Sequence, residues 1–132
     1  MTRDLSFEHF AINTSDPVAM AKWYCENLAM NVVRTGPAPH CMHFLADVSG
    51  RVVLEIYCNP PDDIPTYRDM NPLLLHLAFA VDDIDATRTR LIAAGATPEG
   101  EPFNTPSGDY IAMLRDPWGF CIQFCKRADP MV

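Results

Sequence analysis

Two stretches, "FEHFAINTSDPVAMAKWYCENLAM" at residues 7–30 and "LLHLAFAVDDIDATRTRLIAAGAT" at residues 74–97, spell one plan twice. Each opens on an apolar strand that holds a histidine. Each then passes aspartate at a helix start (Asp16 before Pro17; Asp82 and Asp83), runs on as a helix and stops on small residues. The offset is constant: 67 residues separate His9 from His76, Asp16 from Asp83, and Leu28-Ala29 from Gly95-Ala96. Two histidines match easily by chance, but a shared strand, cap, helix and stop at one offset does not, and a repeat sets the fold before any local reading does.

Local patterns fill in each copy. Period-two alternation sends Phe7, His9 and Ala11 one way and Glu8, Phe10 and Ile12 the other. A helix is expected over Pro17–Leu28, capped by Asp16, with Met20, Trp23, Tyr24 and Leu28 on its apolar face. Its counterpart runs over Ile84–Ala94, carries Ile84, Thr87 and Leu91, and is closed by Gly95. Three strands follow each helix: Asn31–Arg34, Cys41–Asp47 and Arg51–Cys58 in the first half, and Thr97–Glu101, Tyr110–Arg115 and Phe120–Lys126 in the second. "RDPWGF" between the last two reads as a tight turn. The halves are thus β-α-β-β-β modules over residues 5–58 and 73–126. The Pro-rich segment 59–72 joins them into a single domain spanning 1–132, either as a linker or as a loop beside the site.

The whole chain limits the function classes. At 132 residues it can bury a real core without staples. Five cysteines without C-x-x-C spacing point to free thiols in a reducing compartment. A net charge of −7 with no basic run argues against nucleic acid and anionic membranes as partners. No apolar stretch reaches spanning length and "MTRDLSFEHF" lacks a leader's layout, so a cytoplasmic location is expected.

Four polar residues interrupt the apolar strands at matching places. His9 and His76 stand in the first strand of each half, Glu55 in "VVLEIYC" and Gln123 in "FCIQFC". Singly, each has a plain structural reading as a satisfied or solvent-facing side chain. Jointly, four polar groups in apolar strands need partners, and one shared cation supplies all four. Two imidazoles, a carboxylate and an amide oxygen make a mixed N/O set suited to Ni, Zn, Co, Mn or Fe, with positions left for water or substrate.

With these residues in view, the chain resembles the vicinal oxygen chelate superfamily of glyoxalase I, extradiol dioxygenases, methylmalonyl-CoA epimerase and the fosfomycin and bleomycin resistance proteins. The resemblance runs from about Ser6 to Lys126. "AKWYCENLAMNVVRTG" is similar to that family's "FYxxxLGMxxxR", and "RDPWGFCIQF" to its closing "DPDGxxIEL". It implies an α+β fold: tandem βαβββ modules forming an open, cup-like mixed β-sheet barrel with helices outside. It also implies a divalent metal on the concave face, held in the glyoxalase-type pattern by His9, Glu55, His76 and Gln123, and a homodimer in which a site is built within one chain or between two.

The resemblance further implies a lyase or isomerase acting on a small substrate with adjacent oxygens, through a metal-stabilised enediolate. Where glyoxalase I has a second carboxylate, this chain has Gln123, which can coordinate but cannot accept a proton at neutral pH. Glu55 is therefore the expected catalytic base. Two histidines and one carboxylate also match non-haem iron oxygenases, so a ring-cleaving Fe or Mn dioxygenase is the alternative. A drug-binding resistance protein, which needs no metal, is the third reading. Arg34 matches an arginine that holds the anionic end of glutathione in glyoxalases, and Tyr57, two residues past Glu55, is placed to stack on a ligand. His40 and His43, three apart, are read as rim residues rather than joint ligands. Cys121 and Cys125 share a face with Gln123, Trp23 and Tyr24 pack the first helix, and Pro106, Ser107 and Gly108 form a loop at the mouth of the cup.

Overall fold

The computed structural model describes residues 4–131. The first three residues, part of the stretch read for a leader, and Val132 lie outside it. The chain divides into two compact units, one up to Pro65 and one from Thr66 onward.

The first unit holds β1 (Phe10–Asn13), α1 (Pro17–Asn27), β2 (Asn31–Thr35), β3 (His43–Ala46) and β4 (Val52–Tyr57). Its mixed sheet has the order β1-β4-β3-β2, with β1 parallel to β4 and the other pairs antiparallel. α1 begins where Asp16 accepts a hydrogen bond from Ala19 N–H at 3.1 Å, with Pro17 in the first turn. Such a cap contributes about 1 kcal/mol. The helix sets Met20, Tyr24 and Trp23 against the sheet, whose Ile12, Leu45, Leu54 and Ile56 are almost fully buried.

The second unit repeats this plan with β5 (Leu77–Ala80), α2 (Ile84–Ala93), β6 (Thr97–Pro98), β7 (Phe103–Asn104), β8 (Tyr110–Arg115) and β9 (Cys121–Lys126). Its order is β5-β9-β8-β6, with β7 also on β8. The cap is the same: Asp83 accepts from Ala86 N–H at 3.0 Å. Ile84 and Leu91 of α2 are buried, and Phe79 stacks on Phe124 at 6.1 Å. The architecture is α+β with two open, mixed sheets and two helices.

Three details differ from the sequence reading. The first strand of each module starts one residue after its histidine, at Phe10 and Leu77. In the second module, Asn71 accepts from Leu73 N–H and its carbonyl from Leu74 N–H, so Leu73 and Leu74 lie exposed in a turn. The Asn-Pro turn outweighs the apolar run there. Of the expected strand Thr97–Glu101 only Thr97–Pro98 forms, because the chain bends through Glu99-Gly100 with Gly100 at φ 70, and a second short piece follows at Phe103–Asn104. The Pro-rich segment is not all connector: Tyr67–Asp69 form a 3₁₀ turn of the second unit, with Tyr67 edge-on to Phe120.

Candidate functional site

In the first unit, paired residues across the strands share a face. Leu54, Ile56 and Leu45 face α1. The other face carries one continuous row, because Glu55 pairs with Ala11 and with Phe44, and Phe44 pairs with Arg34. Arg34 belongs to this row because of a bulge: the register shifts between Val32 and Arg34, so Val33 has no partner. In a regular strand Arg34 would face α1. Bulges commonly re-aim a side chain in this way. Tyr57 follows two residues after Glu55 on the same face.

His9 completes this group. Its Nε2 lies 3.4 Å from Glu55 Oε1, its Nδ1 lies 2.9 Å from Glu8 Oε1, and its ring meets Phe44 edge-on at 5.4 Å. Glu8 is exposed, whereas the Glu55 side chain is only 14% exposed. A carboxylate oxygen only accepts and a neutral imidazole has one N–H, so if Nδ1–H donates to Glu8 the Nε2 lone pair faces Glu55. In that tautomer two electron-rich atoms face each other at 3.4 Å, a geometry suited to two ligands of one cation.

In the second unit, Gln123 pairs with Ala78 and Met113 and is 9% exposed. Its Oε1 accepts from Cys125 Sγ–H at 2.9 Å. His76 donates Nδ1–H to the Pro72 carbonyl at 2.7 Å, leaving Nε2 as the nitrogen with a lone pair. The register also settles a small mismatch. His9 to Glu55 is 46 residues and His76 to Gln123 is 47, yet Glu55 pairs with Ala11 and Gln123 with Ala78, each two residues past its histidine. Glu55 and Gln123 are equivalent positions, and the extra residue is absorbed in the loops.

The other residues singled out divide as follows. Cys121, Gln123 and Cys125 do share one face, with partners Arg115, Met113 and Ile111. Burial pushes the thiols of Cys121 and Cys125 up, an effect opposed by Arg115 and Arg127 respectively. His43 pairs with Ile56 and so lies off the Glu55 row, while His40 and His43 each hold a backbone carbonyl, of Cys58 and Cys41. The loop at Pro106–Gly108 closes a turn between Thr105 and Asp109. Among the described residues, no three of His, Cys, Asp and Glu gather as a metal-binding cluster. A cavity of about 700 Å³ in the second unit is lined by Ala78–Asp82, Cys125–Ala128, Pro130 and Met131, and Gln123 is not part of its lining.

Two residues passed unnoticed in the sequence. Arg115 is 5% exposed; it binds Glu99 at 2.7 Å and donates to the carbonyls of Tyr67, Met70 and Gly119. Asp116, fully buried, accepts from Trp118 N–H and Phe120 N–H and shapes the "DPWGF" turn. An arginine closing the apolar run Ile111–Leu114 was the available signal.

Comparison with known proteins bears on the family and the fold. A probable lactoylglutathione lyase of Vibrio parahaemolyticus is 30% identical over 124 residues, covering 89% of this chain and 88% of that protein. A putative glyoxylase, CFP32, of Mycobacterium tuberculosis is 43% identical over 53 residues, 40% of this chain but only 20% of that longer protein. Among solved structures, a glyoxalase family protein from Enterococcus faecalis has a TM-score of 0.72 at 27% identity, covering 95% of this chain and all of that one. An antibiotic binding protein from Streptomyces, TnmS3, shares the fold with a TM-score of 0.70 at 24% identity, covering 96% of this chain and all of that one. Residues 6–124 match the family itself, and the chain belongs to the Glyoxalase/Bleomycin resistance protein/Dioxygenase superfamily.

Proposed function

We propose that the protein is a metal-dependent lyase or isomerase of the glyoxalase type, acting on a small substrate with adjacent oxygens. The observation that carries this reading is the 3.4 Å between His9 Nε2 and Glu55 Oε1 on a sheet face shared with Ala11, Phe44, Arg34 and Tyr57. Two ligands about 2.1 Å from a tetrahedral divalent ion stand about 3.4 Å apart, so the pair fits as two ligands of one ion. His9 and Glu55 would hold the ion from the first module, and His76 and Gln123 from the second. Each histidine has its Nδ1 on an oxygen, as metal-bound imidazoles usually do. His40 and His43 also hold their Nδ1 on backbone carbonyls.

A bound divalent ion supplies Lewis-acid stabilisation of negative charge on the substrate oxygens. The remaining work falls to the chain. Glu55 takes the proton from the carbon beside the carbonyl and returns it to the neighbouring carbon. Gln123 cannot share that task, so one base serves both transfers. Arg34, in the same row, binds the anionic end of the substrate, and Tyr57 offers its ring to the body. The Vibrio relative, matched over 88% of its length, supports the lyase reading.

The test is metal analysis of untagged protein, followed by assay on the hemithioacetal of methylglyoxal and glutathione. Stoichiometric Ni, Zn, Co, Mn or Fe is expected, with turnover that falls roughly 100-fold or more in Glu55→Gln. His76→Ala should lose metal while keeping its fold. Gln123→Glu should raise isomerase turnover by adding a second base. Protein that is metal-free and rejects added Ni²⁺, Zn²⁺ and Mn²⁺ would sink the reading and favour a binding module. Turnover of a catechol with Fe²⁺ and oxygen instead would reassign it as a dioxygenase.

A further inference from the structure

We infer that Cys125 is a positioning residue that sets which end of the Gln123 amide faces the site; this rests on the ligand set proposed above. Cys125 Sγ lies 2.9 Å from Gln123 Oε1, with both side chains buried, at 4% and 9% exposure. They stand two residues apart on one face of β9, opposite Ile111 and Met113, so the strand itself holds them side by side. A carboxamide has two unlike ends, an accepting oxygen and a donating NH₂, and half a turn exchanges them. Only the oxygen serves a cation. A thiol hydrogen directed at Oε1 occupies one of its two lone pairs, fixes the rotamer and leaves the second lone pair for a ligand.

The comparison between modules points the same way. Glu55 and Gln123 are equivalent by register, and the residue two places on is Tyr57 in the first module and Cys125 in the second. A carboxylate presents oxygen whichever way it turns and needs no such partner. The amide does, and the thiol stands beside the amide.

The experiment uses the full chain stripped of metal, with Mn²⁺ and Zn²⁺ titrated calorimetrically into wild type, Cys125→Ala and Cys125→Ser, each checked for folding by circular dichroism. Loss of an outer partner of this kind weakens metal binding by about 10-fold or more, so Cys125→Ala should show that loss, and Cys125→Ser, which keeps an O–H donor, should recover most of it. Equal affinities in all three, or a serine variant as weak as the alanine one, would overturn the inference. A second measurement is independent of metal: the infrared S–H stretch of Cys125, identified by its loss in Cys125→Ala. It should lie below the free-thiol position and rise in Gln123→Leu. A band already at the free-thiol position overturns the inference outright. A lowered, Gln123-dependent band in a wild type that binds neither ion upholds the thiol–amide clamp and refutes the metal reading instead.

Discussion

Ala29 ends the first helix at φ 55, in a region where a Cβ costs about 1–2 kcal/mol. Gly95 holds the matching stop at φ 111, where it has no such penalty. Replacing Ala29 by glycine removes that strain and adds unfolded-chain entropy of about 0.5–1 kcal/mol, so a net stabilisation of a few tenths to 1 kcal/mol is expected. Urea denaturation measures it, and a lower midpoint for Ala29→Gly would contradict the argument. The site residues differ in kind. Side-chain chemistry rather than position decides what they can do: Glu55 and Gln123 are equivalent in register, yet one can carry a proton and the other cannot.

At the scale of elements, the β8–β9 turn is the least tolerant joint in the second unit. Gly119 sits at φ 86, and a Cβ there would meet the Arg68 backbone nitrogen at 3.0 Å and Cα at 3.1 Å. Gly119→Ala should therefore destabilise by about 2–4 kcal/mol, through both backbone strain and displacement of the 3₁₀ turn. Loss of less than 1 kcal/mol in a denaturant titration would mean that the turn gives way cheaply. The far end of β9 is tied differently. Asp109 accepts from Ala128 N–H and pairs with Arg127 at 2.9 Å, and these contacts, the backbone bond first, hold its carboxyl below the ordinary value of 3.8. A lowered native pKa contributes stability above pH 3.8 that is lost as pH falls through the native value. Asp109→Asn should thus flatten the fall in stability between about pH 5 and pH 3, read from denaturant midpoints. An unchanged slope would show that the pair adds nothing.

For the whole molecule, each unit leaves large apolar side chains exposed, Phe7 and Val33 in the first and Leu73 and Leu74 in the second. A homodimer is the expected solution state, and sedimentation velocity should give twice the single-chain mass; a species of 14.8 kDa at micromolar concentration would exclude it. Among the described residues no helix is long and apolar enough to cross a membrane.

What could be read from residues alone was whatever short-range chemistry dictates. Asp16 and Asp83 were legible as caps, "RDPWGF" as a turn, and the constant offset of 67 as a duplicated module. Glu55 and Gln123 were conspicuous as polar side chains inside apolar strands, and His9 and His76 stand one residue ahead of theirs. Strand register was not legible. Whether Glu55 shares a row with Arg34 depends on a one-residue bulge at Val33, and a shift of one residue turns a side chain to the other face. The same holds for Arg115, whose partners Tyr67, Met70 and Glu99 come from segments far from it in sequence. Those contacts exist only once the chain has folded, so tertiary structure alone decided them.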